Sequence, residues 1–508
     1  MQRMSMQEES VPDTATLLAM VRSLRDENEH LKLLVAKLQR MRFGRRSEAL
    51  NTEDPQRSLS LDGQITPPAR PLPQKPTEDT ARGKPLRKPL PAHLPREVQR
   101  HSVDAQHCPD CGGALRAIGE DVSEVLEYVP ARFKVIRHVR PKAACTGCQK
   151  LVQVSAPERP IARGLAGPGL LAQVMVSKYC DHLPLYRQSQ IYARDGVDLP
   201  RSTLADWVRE TSHLLSPLVA AIRRHTLAGN TLHADDTPVP VLAPGNGRTK
   251  TGRLWTYVRD ERPAKGDAAP SVWFAYSPDR KGQHPRHHLV TYQGALHADG
   301  YAGFNQLFEQ GKRFEVACWA HVRRKFYEIH QAQASPLAAT ALDYIQQLYR
   351  VETAIRGKPP DERQRWRRSR AGPILEELFQ WLQFTLTQVA RKSALAEAIR
   401  YALSRWTALT RYRDDGCLEI DNNTAERALR AIALGRKNYL FVGSDKGGER
   451  AAVLYSLIGT AKLNGLDPAA YLCHVLERIA AHPVNRMDDL LPWNVRQGGD
   501  TISDDMAA

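Results

Sequence analysis

Between residues 228 and 330 the chain passes through short apolar or aromatic segments, and their order limits the fold more than any other feature. LHADDTPVPVLA, RLWTYVRD and SVWFAYSP come first, a helix-compatible run at Gln283–Leu289 follows, and GALHADGYAGF and RFEVACWAHV complete the series. Short β-branched and aromatic runs bounded by Gly, Pro and Asp are strand signals. Residues 331–415 are helical in pattern and basic, including DERQRWRRSR. A segment of that length is too long for a loop and predicts a helical insertion. Residues 416–480 return to helices.

Three strands, a helix and a strand carrying a second Asp is the order of a ribonuclease-H-like α/β fold. Three acids stand out on it: Asp235 in LHADDTPV, Asp299 in LHADGYAGF and Glu426 in IDNNTAERALR. Two Asp and one Glu brought together can hold two divalent metal ions, which activate an attacking oxygen and stabilise a leaving one in phosphoryl transfer. Each acid also has a plainer role open to it. Asp235 can be a solvated strand-end residue, Asp299-Gly300 is a turn pair, and Asn423-x-x-Glu426 reads as a capping box.

The net charge is +16, from 72 Lys and Arg against 56 Asp and Glu. On so basic a chain the natural phosphate carrier is nucleic acid. No segment is long and apolar enough to span a bilayer, and MQRMSMQEESV lacks the apolar core of a signal peptide. The expected place is the cytosol. Eight Cys in such a chain are not a disulfide framework. Four fall in C-x-x-C pairs, Cys108/Cys111 and Cys145/Cys148, each beside Gly, with strand-like EVLEYVPARFKVIRHVR between them. This resembles a zinc ribbon over residues 101–158, closed by four thiolates around one structural Zn²⁺. Cys180, Cys318, Cys417 and Cys473 read as isolated, packed residues.

Residues 14–40 have a heptad seam. Leu17, Leu24, Leu31 and Leu38 are seven apart, with Val21, Asn28 and Val35 between them. β-branched residues at a, Leu at d and one Asn at a favour a parallel two-stranded coiled coil. It covers residues 1–48 and ends in Arg40, Arg42, Arg45 and Arg46. Residues 49–100 are rich in Pro, Lys and Arg without a period, and read as a linker. Residues 159–227 hold a helix, then LYRQSQIYA, a turn at Asp195-Gly196, and a second helix expected to be capped by Ser202. That is a helix-turn-helix plan, with Arg201, Ser202 and Thr203 where base edges would be read. His321, Arg323 and Arg324, and Arg427, Arg430, Arg436 and Lys437 around Glu426, are candidate DNA contacts. The catalytic unit is expected at 228–450 and a C-terminal helical segment with tail at 451–508.

The phrases MRFGRRSEAL, LPAHLPRE, CPDCGGAL, SKYCDHLPLYRQSQIYARDGVDLPRSTLADWV, LHADDTPV, HADGYAGFN, CWAHVRRKF, IDNNTAERALR, GRKNYLFVGSD and LNGLDPAAYL occur in this order. In them the chain resembles, nearly end to end, the transposases of the bacterial insertion sequence 66 family. The resemblance implies a DDE-type transposase that binds element ends, cleaves 3′ ends and joins them to target double-stranded DNA. Asp235, Asp299 and Glu426 would be its catalytic acids, with two Mg²⁺ or Mn²⁺. The family has Asp-Glu-Thr at the first acid and this chain has Asp235-Asp236-Thr237, so Asp236 is a rival. A homodimer or higher oligomer, and element-encoded accessory proteins, are the expected protein partners. A catalytically inactive DNA-binding protein and a metal-dependent endonuclease without strand transfer are the competing readings.

Overall fold

The structure, a computed structural model, describes residues 158–162, 164–245, 247–309 and 311–497. It also describes 133–137, 142–144 and 151–153, and Met20, Val21, Leu24, Glu27, Asn28, Leu31, Lys32 and Val35. The chain divides into two compact units, residues 65–141 and the remainder. In the smaller unit only 133–137 are described; they are exposed and lack regular structure. The linker and the four paired cysteines lie outside the described residues. All eight described positions between 20 and 35 are helical and exposed, including Val21, Leu24, Asn28, Leu31 and Val35 of the heptad seam; Leu17 and Leu38 are not among them.

In the larger unit β1 (Lys142–Ala144) and β2 (Leu151–Gln153) form an antiparallel pair. Four helices follow: α1 (Pro168–Tyr179), α2 (Leu185–Arg194), α3 (Arg201–Leu214) and α4 (Ser216–Leu227). A five-stranded sheet comes next, from β3 (Thr231–Val241), β4 (Lys250–Arg259), β5 (Ser271–Ser277), β6 (Gly294–Ala298) and β7 (Arg313–Ala317). Its spatial order is β5-β4-β3-β6-β7. β3 pairs antiparallel with β4 and β4 with β5, whereas β3, β6 and β7 run parallel. α5 (Gln283–His288) stands between β5 and β6, as the sequence predicts; α6 (Asn305–Phe308) follows β6.

The helices before the sheet bury their apolar faces in the same core as the sheet. Leu171, Val174 and Met175 of α1 are fully buried, and α1 packs along α15 (Pro468–Arg478). The Asp195-Gly196 turn is present, with Gly196 at φ 79°. Ser202 is not the cap: α3 begins at Arg201, after Pro200, whose fixed φ suits a helix start, and no side chain caps it.

β5 is an edge strand, and α14 (Asp445–Leu463) closes it. The Phe274 N–H donates to Ser456 Oγ (2.8 Å) and the Val272 N–H to Thr460 Oγ1 (3.2 Å). Two hydroxyls in the otherwise apolar run AAVLYSLIGTAKL thus satisfy backbone donors that an open edge would leave for another chain. Gly448 allows this approach, since a Cβ there would lie 2.3 Å from the Tyr276 ring.

The insertion forms a second core. α7 (Trp319–Gln333), α8 (Pro336–Ile355), α9 (Pro360–Trp366), a π-helical turn at Arg367–Ala371, α10 (Gly372–Gln388), α11 (Ala394–Ser404) and α12 (Trp406–Asp414) gather Val322, Phe326, Ile345, Leu378, Ile399 and Leu409. Its basic stretch is partly internal. Arg367, fully buried, grips Glu352 through two bonds (2.8 and 2.7 Å), and buried Arg363 pairs with Glu419. Arg363 also donates to the Gly416 carbonyl (2.8 Å) and Arg367 to that of Asp415 (3.0 Å). These bonds fix the segment 415–420 that leads into α13 (Asn423–Asn438).

Candidate active site

Strand alternation aims the first two acids. Thr231 lies opposite Ala295 and His233 opposite His297. Residues two apart on a strand share a face, so Asp235 and Asp299 project from the face that carries the two histidines, just past the last paired residues. The imidazoles of His233 and His297 stack at 4.1 Å with 20° between planes. Burial pulls His233 down to about 4 and His297 well below its ordinary value, the latter pushed further by His233, so both rings are neutral beneath the acids.

The third acid arrives on α13 through Asn422, a residue the sequence reading passed over. Fully buried, Asn422 donates from Nδ2 to the Ala234 carbonyl (2.8 Å) and accepts at Oδ1 from His233 Nδ1 (3.1 Å). Its backbone N–H meets Cys318 Sγ (3.2 Å) at the end of β7. One side chain therefore ties the start of α13 to β3, one residue before Asp235. Burial, then the charges of Asp299 and Glu426, raise the Asp235 carboxyl well above its usual range. The three acids thus act on one another electrostatically.

The capping-box alternative for Glu426 is overturned. α13 is preceded by Asn422, with no side-chain cap, and Asn423 turns to Asp421: its Nδ2 donates to Oδ2 (2.7 Å) and its N–H to Oδ1 (3.1 Å). Glu426 is buried, with Oε1 3.8 Å from His321 Nε2 and Oε2 3.8 Å from Arg324 Nη2. Asp421 also accepts from Tyr349 (3.0 Å), and burial lifts its carboxyl to about 6.

Asp236 alternates to the other side of β3 and is already paired. Arg253 Nη1 donates to its Oδ2 (2.9 Å), and Arg280 approaches its Oδ1 at 2.8 Å. Arg280 also stands 3.7 Å from Asp299 Oδ2 and stacks over Tyr301 at 4.1 Å. Sequence reasoning missed Arg280 because its loop position, after SVWFAYSPD, carries no period. Asp299 is held by the Tyr301 N–H on Oδ1 (3.0 Å), and Gly300 takes φ 82°, where a Cβ would also strike Arg405.

The basic candidates separate. His321 and Arg324 stand at the site with Glu426. Arg323 turns inward, buried beside Tyr327, because α7 packs that face into the insertion core. Arg427 and Lys437 are exposed and Arg430 half-buried. Arg436 donates to the Pro238 carbonyl (2.6 Å). Arg201 and Ser202 are exposed and Thr203 half-buried. Arg201 and Arg436 meet at one cavity of about 330 Å³, shared with Lys178, Tyr179, Tyr439 and Arg450. No pattern in the sequence marks both arginines as lining one cavity. Cys318 is likewise not isolated: it lies with His321 and Glu426.

Known proteins resemble this chain along most of its length. A family model described as "Transposase IS66 family" matches residues 163–450, and "zinc-finger binding domain of transposase IS66" matches 105–149. "IS66 C-terminal element" matches 456–493, and "Transposase C of IS166 homeodomain" matches 30–98. The uncharacterized protein y4jD of Sinorhizobium fredii is 38% identical over 97% of this chain and 98% of its own. Uncharacterized y4hP of the same organism is 38% identical over 91% of this chain and 88% of its own.

Proposed function

From the premise that this chain belongs to the IS66 transposase family, we propose that it cleaves the 3′ ends of its element and joins them to target DNA at Asp235, Asp299 and Glu426. Membership carries DNA binding and transposition in general. What supports it most is the placing of three acids, Asp235 on β3, Asp299 just past the end of β6 and Glu426 in the first turn of α13, with burial and then the charges of the other two raising the Asp235 carboxyl. Carboxylates gathered this way repel one another, and a divalent cation relieves that repulsion, so the residues fit such an ion. When bound, the cations supply Lewis-acid activation of the attacking oxygen and stabilisation of the leaving one.

The chain's residues divide the remaining work. Asp235 and Asp299 offer carboxylate oxygens from adjacent parallel strands, and Glu426 faces them from a helix fixed by Asn422. Arg280 neutralises Asp236 and leans on Asp299, which keeps the rival acid out of the ligand set. Arg324 and His321 present cationic or hydrogen-bonding groups beside Glu426, suited to phosphate oxygens. The sheet order β5-β4-β3-β6-β7, with β3 central, supports a ribonuclease-H-like core interrupted by the insertion after β7. The exposed helical positions Val21, Leu24, Asn28, Leu31 and Val35 support a zipper that pairs two chains. Cys108, Cys111, Cys145 and Cys148 would hold one structural zinc.

The test is cleavage and joining of labelled element-end DNA in Mg²⁺. Glu426→Gln, Asp235→Asn and Asp299→Asn are expected to abolish both reactions while DNA binding and melting temperature stay near wild type. Near-normal cleavage by Glu426→Gln would remove it from the catalytic set.

A further inference from the structure

We propose that Cys318, His321 and Glu426 form a binding site for a zinc-class cation, sharing Glu426 with the carboxylate set. Among the described residues these three bring one sulfur, one imidazole nitrogen and one carboxylate oxygen within 4.8 Å of one another. Tetrahedral zinc, with bonds of roughly 2.0–2.3 Å, draws its ligand atoms to about that closeness after small rotations. The donors come from three places that the fold already holds. Cys318 follows β7 directly, His321 lies in the first turn of α7 three residues on, and Glu426 lies in the first turn of α13. Cys318 is 2% exposed and Glu426 4%, whereas the His321 side chain is 23% exposed, which leaves one open approach. The Asn422 N–H donates to Sγ (3.2 Å), a bond that would stabilise and orient the thiolate form a metal takes.

Donor type separates this site from the other acids. Magnesium takes oxygen ligands, and Asp235, Asp299 and Glu426 are all oxygen. Thiolate with imidazole selects zinc or cobalt instead. Glu426 divides its two oxygens, Oε1 toward His321 and Oε2 toward Arg324. A zinc-class ion bound through Oε1 would commit this carboxylate, so zinc opposes magnesium at the catalytic centre; this consequence rests on the catalytic reading of Glu426.

The full-length protein, stripped of metal and reloaded with Co²⁺ without DNA, gives the test. Wild type is expected to bind about one cobalt per chain more than either Cys318→Ala or His321→Ala, and to lose one component of the sulfur-to-cobalt absorption in Cys318→Ala. The four paired cysteines contribute equally to all three proteins and cancel in the difference. His321→Ala removes a partly exposed side chain, so it still reads the site if Cys318→Ala folds poorly. Equal cobalt counts in wild type and His321→Ala overturn the proposal. Asp235→Asn separates the two readings: it is expected to keep the Cys318 component of the sulfur-to-cobalt absorption and the cobalt difference made by His321→Ala, while losing Mg²⁺-dependent cleavage. Cleavage by Asp235→Asn with the cobalt difference intact sinks the carboxylate reading alone.

Discussion

Asn422→Ala should damage this protein more than any exposed charge at the site. The wild-type amide makes two side-chain bonds, 2.8 Å to the Ala234 carbonyl and 3.1 Å from His233, in a fully buried position. Truncation strands a buried imidazole N–H and reduces the bonding of a buried carbonyl. At about 1–3 kcal/mol for each unsatisfied group, the loss is roughly 2–4 kcal/mol. The helix that carries Glu426 loses its side-chain tie to β3 four residues upstream, and misplacement by about 1 Å costs on the order of 100-fold in rate. Chemical denaturation and Mg²⁺-dependent end cleavage are measured in parallel. Asn423→Ala is the matched control: half-buried, it gives up one side-chain bond, to Asp421, and should lose no more than about 1 kcal/mol, with cleavage within a few-fold of wild type. If the two variants behave alike, Asn422 is not what positions the helix.

Asp421 should give the metal-free protein a distinctive pH response. Its folded carboxyl sits near 6 against an ordinary 3.8, so the native state binds the proton more tightly. Its contribution is complete below about pH 4 and is lost as pH rises through 6, worth on the order of 3 kcal/mol. The difference in stability between wild type and Asp421→Asn should therefore change across pH 4–7, and a constant difference would contradict the assignment. Removing residues 1–45 should abolish self-association without DNA, read by sedimentation; an unchanged oligomer would exclude the heptad seam as the contact. The isolated 100–160 segment should hold about one zinc by elemental analysis, and a folded segment without zinc would refute the ribbon. End binding should weaken steeply between low and physiological salt, as counterion release requires; a flat affinity would argue against the basic surface as the DNA path.

The sequence by itself determined the order of the sheet's elements and was enough to propose the three acids. Period-two runs, the Gln283–Leu289 helix and the insertion's length are local properties, and local patterning dictates them. The family phrases did the rest, since they name positions without needing contacts. What it misjudged were partners. Asn423-x-x-Glu426 satisfies a local capping rule, yet a tertiary bond from Asn422 to β3 sets the helix start, and Glu426 turns to His321 and Arg324. DERQRWRRSR reads only as helical and basic, whereas Arg363 and Arg367 are internal clamps on Glu419 and Glu352. Ser456 and Thr460 look like interruptions of an apolar helix until β5 is laid beside them. What separates Asp235 from Asp236 is tertiary: Asp236 is paired with Arg253 and Arg280. Adjacent residues on a strand point to opposite sides, and the guanidinium groups of Arg253 and Arg280, 17 and 44 residues further along the chain, pair with Asp236, Arg280 also reaching to 3.7 Å from Asp299. Charge interacts through space at a few ångströms, while sequence records only separation along the chain.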